Sequence, residues 1–230
     1  MALKNIASRV KVKICGQTSV EDCEMSVKHG ADFLGVVLDV DWSPRSLSVW
    51  DAVPIFSAFG SKTFLLTFNR EVDGALLEAI ASLKPCALQL TGQEPVESVA
   101  KLAEKTGLLI FKSIHLRPEG EGSADDTVER TVALMQSYSN AGAGGFVLDT
   151  ASKGMYGGTG VKSDWDLAAK VVAESAVPVF IAGGINPENV AMAATIHGIY
   201  GVDLASGVES SKGKKSEEKL TALFDNFRKA

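Results

Sequence analysis

A chain of 230 residues with a net charge of -5, 46% hydrophobic and 22% charged residues has the make-up of an ordinary folded protein rather than a disordered one. The acidic balance argues against a nucleic-acid surface, which needs clustered Lys and Arg to neutralise phosphates, and no apolar stretch reaches the ~18 residues that a membrane helix requires. Cys15, Cys23 and Cys86 are odd in number and lack metal-type spacing, so no disulfide framework and no cysteine-bound metal is expected, and a reducing, cytoplasmic setting fits.

From the amino end, short runs rich in Val, Ile, Leu and Phe alternate with segments of helical periodicity. The first run, 10–15, precedes a helix over 20–29, with Ser19 placed to cap it and His29-Gly30 to end it. A strand at 33–38 leads to a helix at 47–59, one at 63–68 to a helix at 72–83, and one at 87–90 to a helix at 96–106. Gly74 falls inside the third of these helices, where it is unfavourable by roughly 1 kcal/mol relative to alanine. The second half repeats the pattern: strands at 108–115, 145–148, 177–182 and 201–204, with helices at 127–140, 165–175, 187–196 and 216–228. Asn186-Pro187 supplies a cap followed by proline at the first helical position, where the missing N–H costs nothing.

Eight such units predict a parallel α/β sheet closed into a barrel, a single domain over residues 1–230, because barrels of this kind routinely run ~200 to 250 residues. A doubly wound open sheet is the alternative. Two polar loops, 116–126 and 150–164, would lie on the face of a barrel that carries its active site.

Several residues on that face have chemistry to offer. Cys15 closes the first strand, as a buried filler or as a base held at the strand mouth. Asp149 ends the run 145–148, where a buried carboxyl must be paired or keep its proton, so it either caps nearby backbone N–H groups or serves as a general acid. Arg45, after Ser43-Pro44, can present its planar fork to a substrate carboxylate or pair at the surface with Asp39 or Asp41. Glycines follow the last three strands: Gly157-Gly158-Thr159-Gly160, Gly183-Gly184 and Ser206-Gly207. Each alone is ordinary turn punctuation, but together they lie where such barrels cradle a phosphate with backbone N–H groups. Lys212, Lys214 and Lys215 read as a solvated turn before the last helix, or as a steering patch for the ligand. His29 and His197 sit at helix ends and read as structural, His115 closes a strand and could face the site, and no two share metal-ligand spacing.

Taken together the set resembles phosphoribosylanthranilate isomerase of tryptophan biosynthesis. The residues that carry the resemblance are Lys13-Ile14-Cys15-Gly16 with Thr18, Gly30-Ala31-Asp32 with Gly35, Ser43-Pro44-Arg45, and Gln89-Leu90 with Gly92. They continue with Leu148-Asp149, Gly157-Gly158-Thr159-Gly160 with Asp164-Trp165, Ala182-Gly183-Gly184, and Val202-Asp203 with Ser206-Gly207-Val208-Glu209. The resemblance implies a (βα) TIM barrel and an Amadori rearrangement of N-(5'-phosphoribosyl)anthranilate to 1-(2-carboxyphenylamino)-1-deoxyribulose 5-phosphate, without metal or organic cofactor. Within it, Asp149 would protonate the ribose ring oxygen, Cys15 would remove the C2' proton and Arg45 would engage the anthranilate side. Gly158, Thr159, Gly160, Gly183, Gly184, Ser206 and Gly207 would hold the phosphate. Lys13, two residues before Cys15 on the same strand face, is a candidate for stabilising the thiolate. The implied partner is a small phosphorylated molecule, with no nucleic acid or membrane, bound by a monomer or homodimer.

The main departure is Thr91, where the family usually has histidine; Gln17, Ala205 and Lys212 are smaller ones. Two other readings are a diverged barrel isomerase or epimerase acting on another phosphorylated sugar, and a phosphoester-binding barrel without chemistry.

Overall fold

The computed structural model describes residues 9–116, 128–152, 155–156 and 165–229, the side chains of 150–156 excepted. Eight parallel strands close on themselves: β1 (Lys11–Ile14), β2 (Phe33–Leu38), β3 (Thr63–Thr67), β4 (Ala87–Leu90), β5 (Ile110–Leu116), β6 (Gly145–Ser152), β7 (Val179–Ile181) and β8 (Gly201–Leu204). Each pairs with the next, and β8 pairs with β1 in register Lys13 with Asp203. That last pairing excludes the open sheet. Helices α1 (Val20–His29), α2 (Val49–Phe59), α3 (Gly74–Leu83), α4 (Val96–Thr106), α5 (Val128–Asn140), α6 (Trp165–Glu174), α7 (Val190–Ala194) and α8 (Glu217–Phe227) follow the strands in turn.

Local chemistry sets most boundaries where the sequence places them. Ser19 accepts from the Asp22 N–H at the start of α1, and Gly30 ends that helix at φ 125°. Gly74 turns out to be the first residue of α3, capped by Asp73, so it escapes the penalty of a helix interior. Leu47 belongs to a two-residue strand beside β2 rather than to α2, which Ser48 caps. The predicted helix at 187–196 shrinks to α7, because Asn186 and Asn189 spend their side chains on the loop. Asn186 Oδ1 accepts from the N–H groups of Glu188 and Asn189, and Asn189 binds the Asn186 N–H and the Gly184 carbonyl. Strand β6 runs past Leu148 to Ser152, so Asp149 lies within it, opposite His115 in β5. Among the described residues no helix is long and apolar enough to cross a membrane.

Alternate residues of each strand point into the barrel, and they fill it in layers. At the base, Phe33, Phe64, Phe111, Phe180 and Tyr200 pack ring on ring with centroids 5.1–6.4 Å apart. Gly201 makes room for them, since a Cβ there would lie 2.6 Å from the Phe180 ring. A polar layer lies above the aromatic one: Lys13, Gln89, Ser113 and Asp203, all buried. The outer faces of the strands, with Val12, Ile14, Leu65 and Leu148, pack against the helices in the larger apolar core. Burial on both faces is why the strands read as continuous apolar runs.

Candidate active site

A cavity of about 200 Å³ opens at the carboxyl ends of the strands, above the polar layer. Cys15, Arg45, Asp149, Gly183, Gly184 and Ser206 all line it, together with Thr91, Trp42 and Lys212. Thus six of the ten residues singled out in the sequence meet at one place. Gly207 stands just behind, its Cα against the Ile185 carbonyl so closely that no side chain would fit, and borders a second cavity. Gly158, Thr159 and Gly160 lie outside the described residues.

Cys15 emerges directly after β1, and Gly35 on β2 gives its sulfur space: a Cβ at that glycine would sit 2.7 Å from Sγ. Burial pushes the thiol above its ordinary range; the charges of Lys13 and Lys215 and the Gly16 N–H pull it down without cancelling that effect, and Asp203 adds to the rise. Lys13 does not spend its donors on the sulfur. Its ammonium, wholly buried, donates to Gln89 Oε1 and Asp203 Oδ2, each at 2.7 Å, and lies 5.1 Å from the centroid of the Phe64 ring. Burial alone would depress Lys13, yet Asp203, Cys15 and Asp149 together hold it above the ordinary value, so it is a fixed cation beneath the cavity. Gln89 passes the network on to Ser113 Oγ at 3.2 Å, while Asp203 Oδ1 is buried with no hydrogen-bond partner among the described residues.

Arg45 makes neither of the ion pairs considered from its neighbours in sequence. Asp39 binds Arg70 instead, and Arg45 meets Glu209, with Nε to Oε1 and Nη2 to Oε2 both at 2.7 Å. That bidentate contact raises the guanidinium pKa still further; burial would raise Glu209, but Arg45 and Lys215 hold it below the usual carboxylate range. Lys215 corrects the reading of the lysine run as a solvated turn. Its side chain is 0% exposed and donates to the Cys15 carbonyl at 2.6 Å and to Glu209 Oε1 at 3.1 Å.

Thr91 lies in the cavity wall with its hydroxyl buried and no hydrogen-bond partner among the described residues. His115 does not line the cavity; its Nε2 donates to the Thr91 carbonyl at 2.7 Å, and burial lowers its pKa. The loop after β4 is held from the outer side of the barrel, where Lys112 donates to the Gly92 carbonyl at 2.6 Å and Glu94 Oε1 accepts the Gly92 N–H at 3.0 Å. Among the described residues no group of three or more His, Cys, Asp or Glu could hold a metal ion.

In the sequence, Gln89, Asp203 and Glu209 stand only among the residues that carry the resemblance, with no role of their own, and Lys215 only in the lysine run. For Asp203 a signal existed: its strand-mouth position in β8, on the inward face, matches that of Lys13 in β1. The pairings of Glu209 and Lys215 gave none, because their partners lie 164 and 200 residues away.

Residues 12–226 match the family described as N-(5'phosphoribosyl)anthranilate (PRA) isomerase. The chain is 33% identical over 225 residues to N-(5'-phosphoribosyl)anthranilate isomerase 1 of Methanosarcina mazei, covering 96% of this chain and 95% of that one. It is 36% identical over 215 residues to N-(5'-phosphoribosyl)anthranilate isomerase of Methanopyrus kandleri, covering 92% of this chain and 95% of that one. Its fold superposes on the crystal structure of phosphoribosyl anthranilate isomerase from Thermotoga maritima with a TM-score of 0.78 at 29% identity, over 96% of this chain and all of that one. A further phosphoribosyl anthranilate isomerase structure, in complex with reduced 1-(o-carboxyphenylamino)-1-deoxyribulose 5-phosphate, gives 0.74 at 29% identity, covering 96% and 100%.

Proposed function

The chain belongs to the N-(5'-phosphoribosyl)anthranilate isomerase family, and from that premise we propose that its cavity carries out the Amadori rearrangement with Asp149 as general acid and Cys15 as general base. The observation that carries this reading is the meeting of the two side chains in one cavity over a fixed buried cation. Asp149 gives its proton to the ribose ring oxygen as the C1'–O bond breaks, and the anilino nitrogen's lone pair closes a Schiff base. Cys15 then takes the C2' proton, and the resulting enolamine tautomerises to the aminoketose. An acid and a base must start in opposite protonation states, so their surroundings should treat them differently. The raised pKa of Cys15 favours its thiol form. The iminium formed on ring opening adds positive charge to that of Lys13 and Lys215, which favours thiolate at the moment it is needed.

Gly183 and Gly184, at φ 91° and 67°, free their N–H groups to point at a phosphate from one side, with Ser206 and Gly207 on the other. Arg45 takes the anthranilate carboxylate. The three free thiols accord with a cytoplasmic setting.

Loss of anthranilate-type fluorescence as substrate rearranges measures the reaction directly. The unaltered chain should turn over, and Cys15→Ser and Asp149→Asn should each lower kcat by about a hundredfold or more, the usual weight of general acid or base catalysis. Near-normal turnover in either variant would remove the role given to that residue, and no turnover by the unaltered chain would remove the function.

A further inference from the structure

Arg45, Glu209, Lys215 and Cys15 form one bonded chain across the mouth of the barrel. Arg45 is gripped side-on by Glu209; the Lys215 ammonium bonds both Glu209 Oε1 and the backbone carbonyl of Cys15. The side chains of Arg45, Glu209 and Lys215 are 14%, 4% and 0% exposed. The roles proposed for Cys15 and Arg45 leave Glu209 and Lys215 with none.

We propose that Glu209 and Lys215 are positioning residues that set the distance and orientation between the base, Cys15, and the carboxylate-binding group, Arg45. The proposal rests on the reading of those two residues given above. A guanidinium carries five N–H groups, and side-on pairing uses one on Nε and one on Nη2. What remains is the end-on edge, Nη1 with the second Nη2 hydrogen, which can meet a second carboxylate. Glu209 therefore does not compete with the substrate for Arg45; it decides which edge of Arg45 the substrate meets.

The strut is anchored at each end. Gly16, at φ 69°, lets the Arg45 side chain cross it, since a Cβ there would lie 2.5 Å from Arg45 Cδ. Glu209 and Lys215 sit on the two strands of a hairpin, Glu209–Ser211 and Lys214–Lys215, paired Glu209 with Lys215. That hairpin is tied to the segment following Cys15. Thr18 Oγ1 donates to the Gly213 carbonyl at 2.5 Å, and the Lys215 N–H donates to Asp22 Oδ2 at 3.0 Å. The hairpin after the last strand thus holds the backbone of the first strand's end and the side chain of Arg45 by the same two residues.

The test compares turnover of N-(5'-phosphoribosyl)anthranilate with that of its decarboxylated analogue, N-(5'-phosphoribosyl)aniline, using the full-length chain and variants whose folding is checked by circular dichroism. Glu209→Gln should raise KM for the carboxylated substrate about tenfold while changing KM for the aniline analogue less than about twofold, because only the former uses the edge that Glu209 aims. Glu209→Asp, which restores the charge, should recover part of the loss. Adding Glu209→Gln to Arg45→Met should change KM no further, as expected for residues acting through one contact. Lys215→Met should lower kcat for both substrates, since Cys15 serves both; if that variant fails to fold, Glu209→Gln decides. Equal KM values for the two substrates in the unaltered chain would overturn the reading of Arg45 and the proposal with it. Discrimination that survives Glu209→Gln undiminished would overturn the proposal alone.

Discussion

At the level of single residues, the base role proposed for Cys15 raises the question of how a buried sulfur would take up a proton. The surroundings of Cys15 favour the thiol, with burial outweighing two nearby ammonium groups. A raised pKa moves the appearance of thiolate to higher pH, so alkylation of Cys15 by iodoacetamide should keep accelerating above the ordinary thiol value of 9.0. Mass spectrometry of the peptide separates Cys15 from Cys86 and Cys23, whose pKa values burial pushes up to about 11 and about 12. A rate that levels off at or below the ordinary value would contradict the weight given to burial. The position of Cys15 at a strand mouth and of Asp149 just past an apolar run was legible from the chain. Their setting was not: the cation under them depends on Asp203, which lies 190 residues from Lys13.

Among the elements, what the sequence disclosed best was what physics makes local. Continuous apolar runs mark strands buried on both faces, and Ser19 starts its helix with its own side chain. The errors have a common cause, which is that a partner outside the local segment won. Asn186 and Asn189 turned toward the loop and shortened α7, and Lys215 was drawn from solvent to Glu209 and Cys15. The loop after β4 shows the same principle, because Lys112 and Glu94 hold Gly92 from behind and leave Thr91 facing the cavity. A buried hydroxyl without a partner gives little to stability, so Thr91→Val should leave Tm unchanged or slightly raised. If that hydroxyl meets the substrate, as its place in the wall implies, the same change should raise KM roughly threefold to tenfold, the weight of one neutral hydrogen bond. A drop in Tm with KM unchanged would show instead that the hydroxyl is already satisfied in the folded protein.

The whole molecule closes through charge as well as through the sheet, since Lys13 to Asp203 and the Lys215 ammonium to the Cys15 carbonyl both join the last βα unit to the first. Glu209 stays ionised in the fold at pH values where the unfolded chain would bind a proton, because Arg45 and Lys215 hold its pKa below 4.5. Its contribution to stability is therefore complete above that unfolded value and is lost as pH falls through the lower, folded one. Urea unfolding across this acid range should show stability decreasing with falling pH, and Glu209→Gln should be less stable at neutral pH yet lose less on acidification. Equal acid slopes for the two chains would exclude Glu209 as a source of the effect.

The hairpin that carries Glu209 and Lys215 also fixes a schedule. During synthesis Cys15 leaves the ribosome early, whereas the ammonium that holds its carbonyl follows 200 residues later. Only shortly before it come β8, which lies beside the first strand, Asp203, the counterion of the buried lysine beneath the cavity, and Glu209, the carboxylate that grips the arginine. The proposed catalytic centre is therefore finished only by the hairpin after β8, and a nascent or truncated barrel ending before that hairpin carries Cys15 and Arg45 without the contacts that fix them.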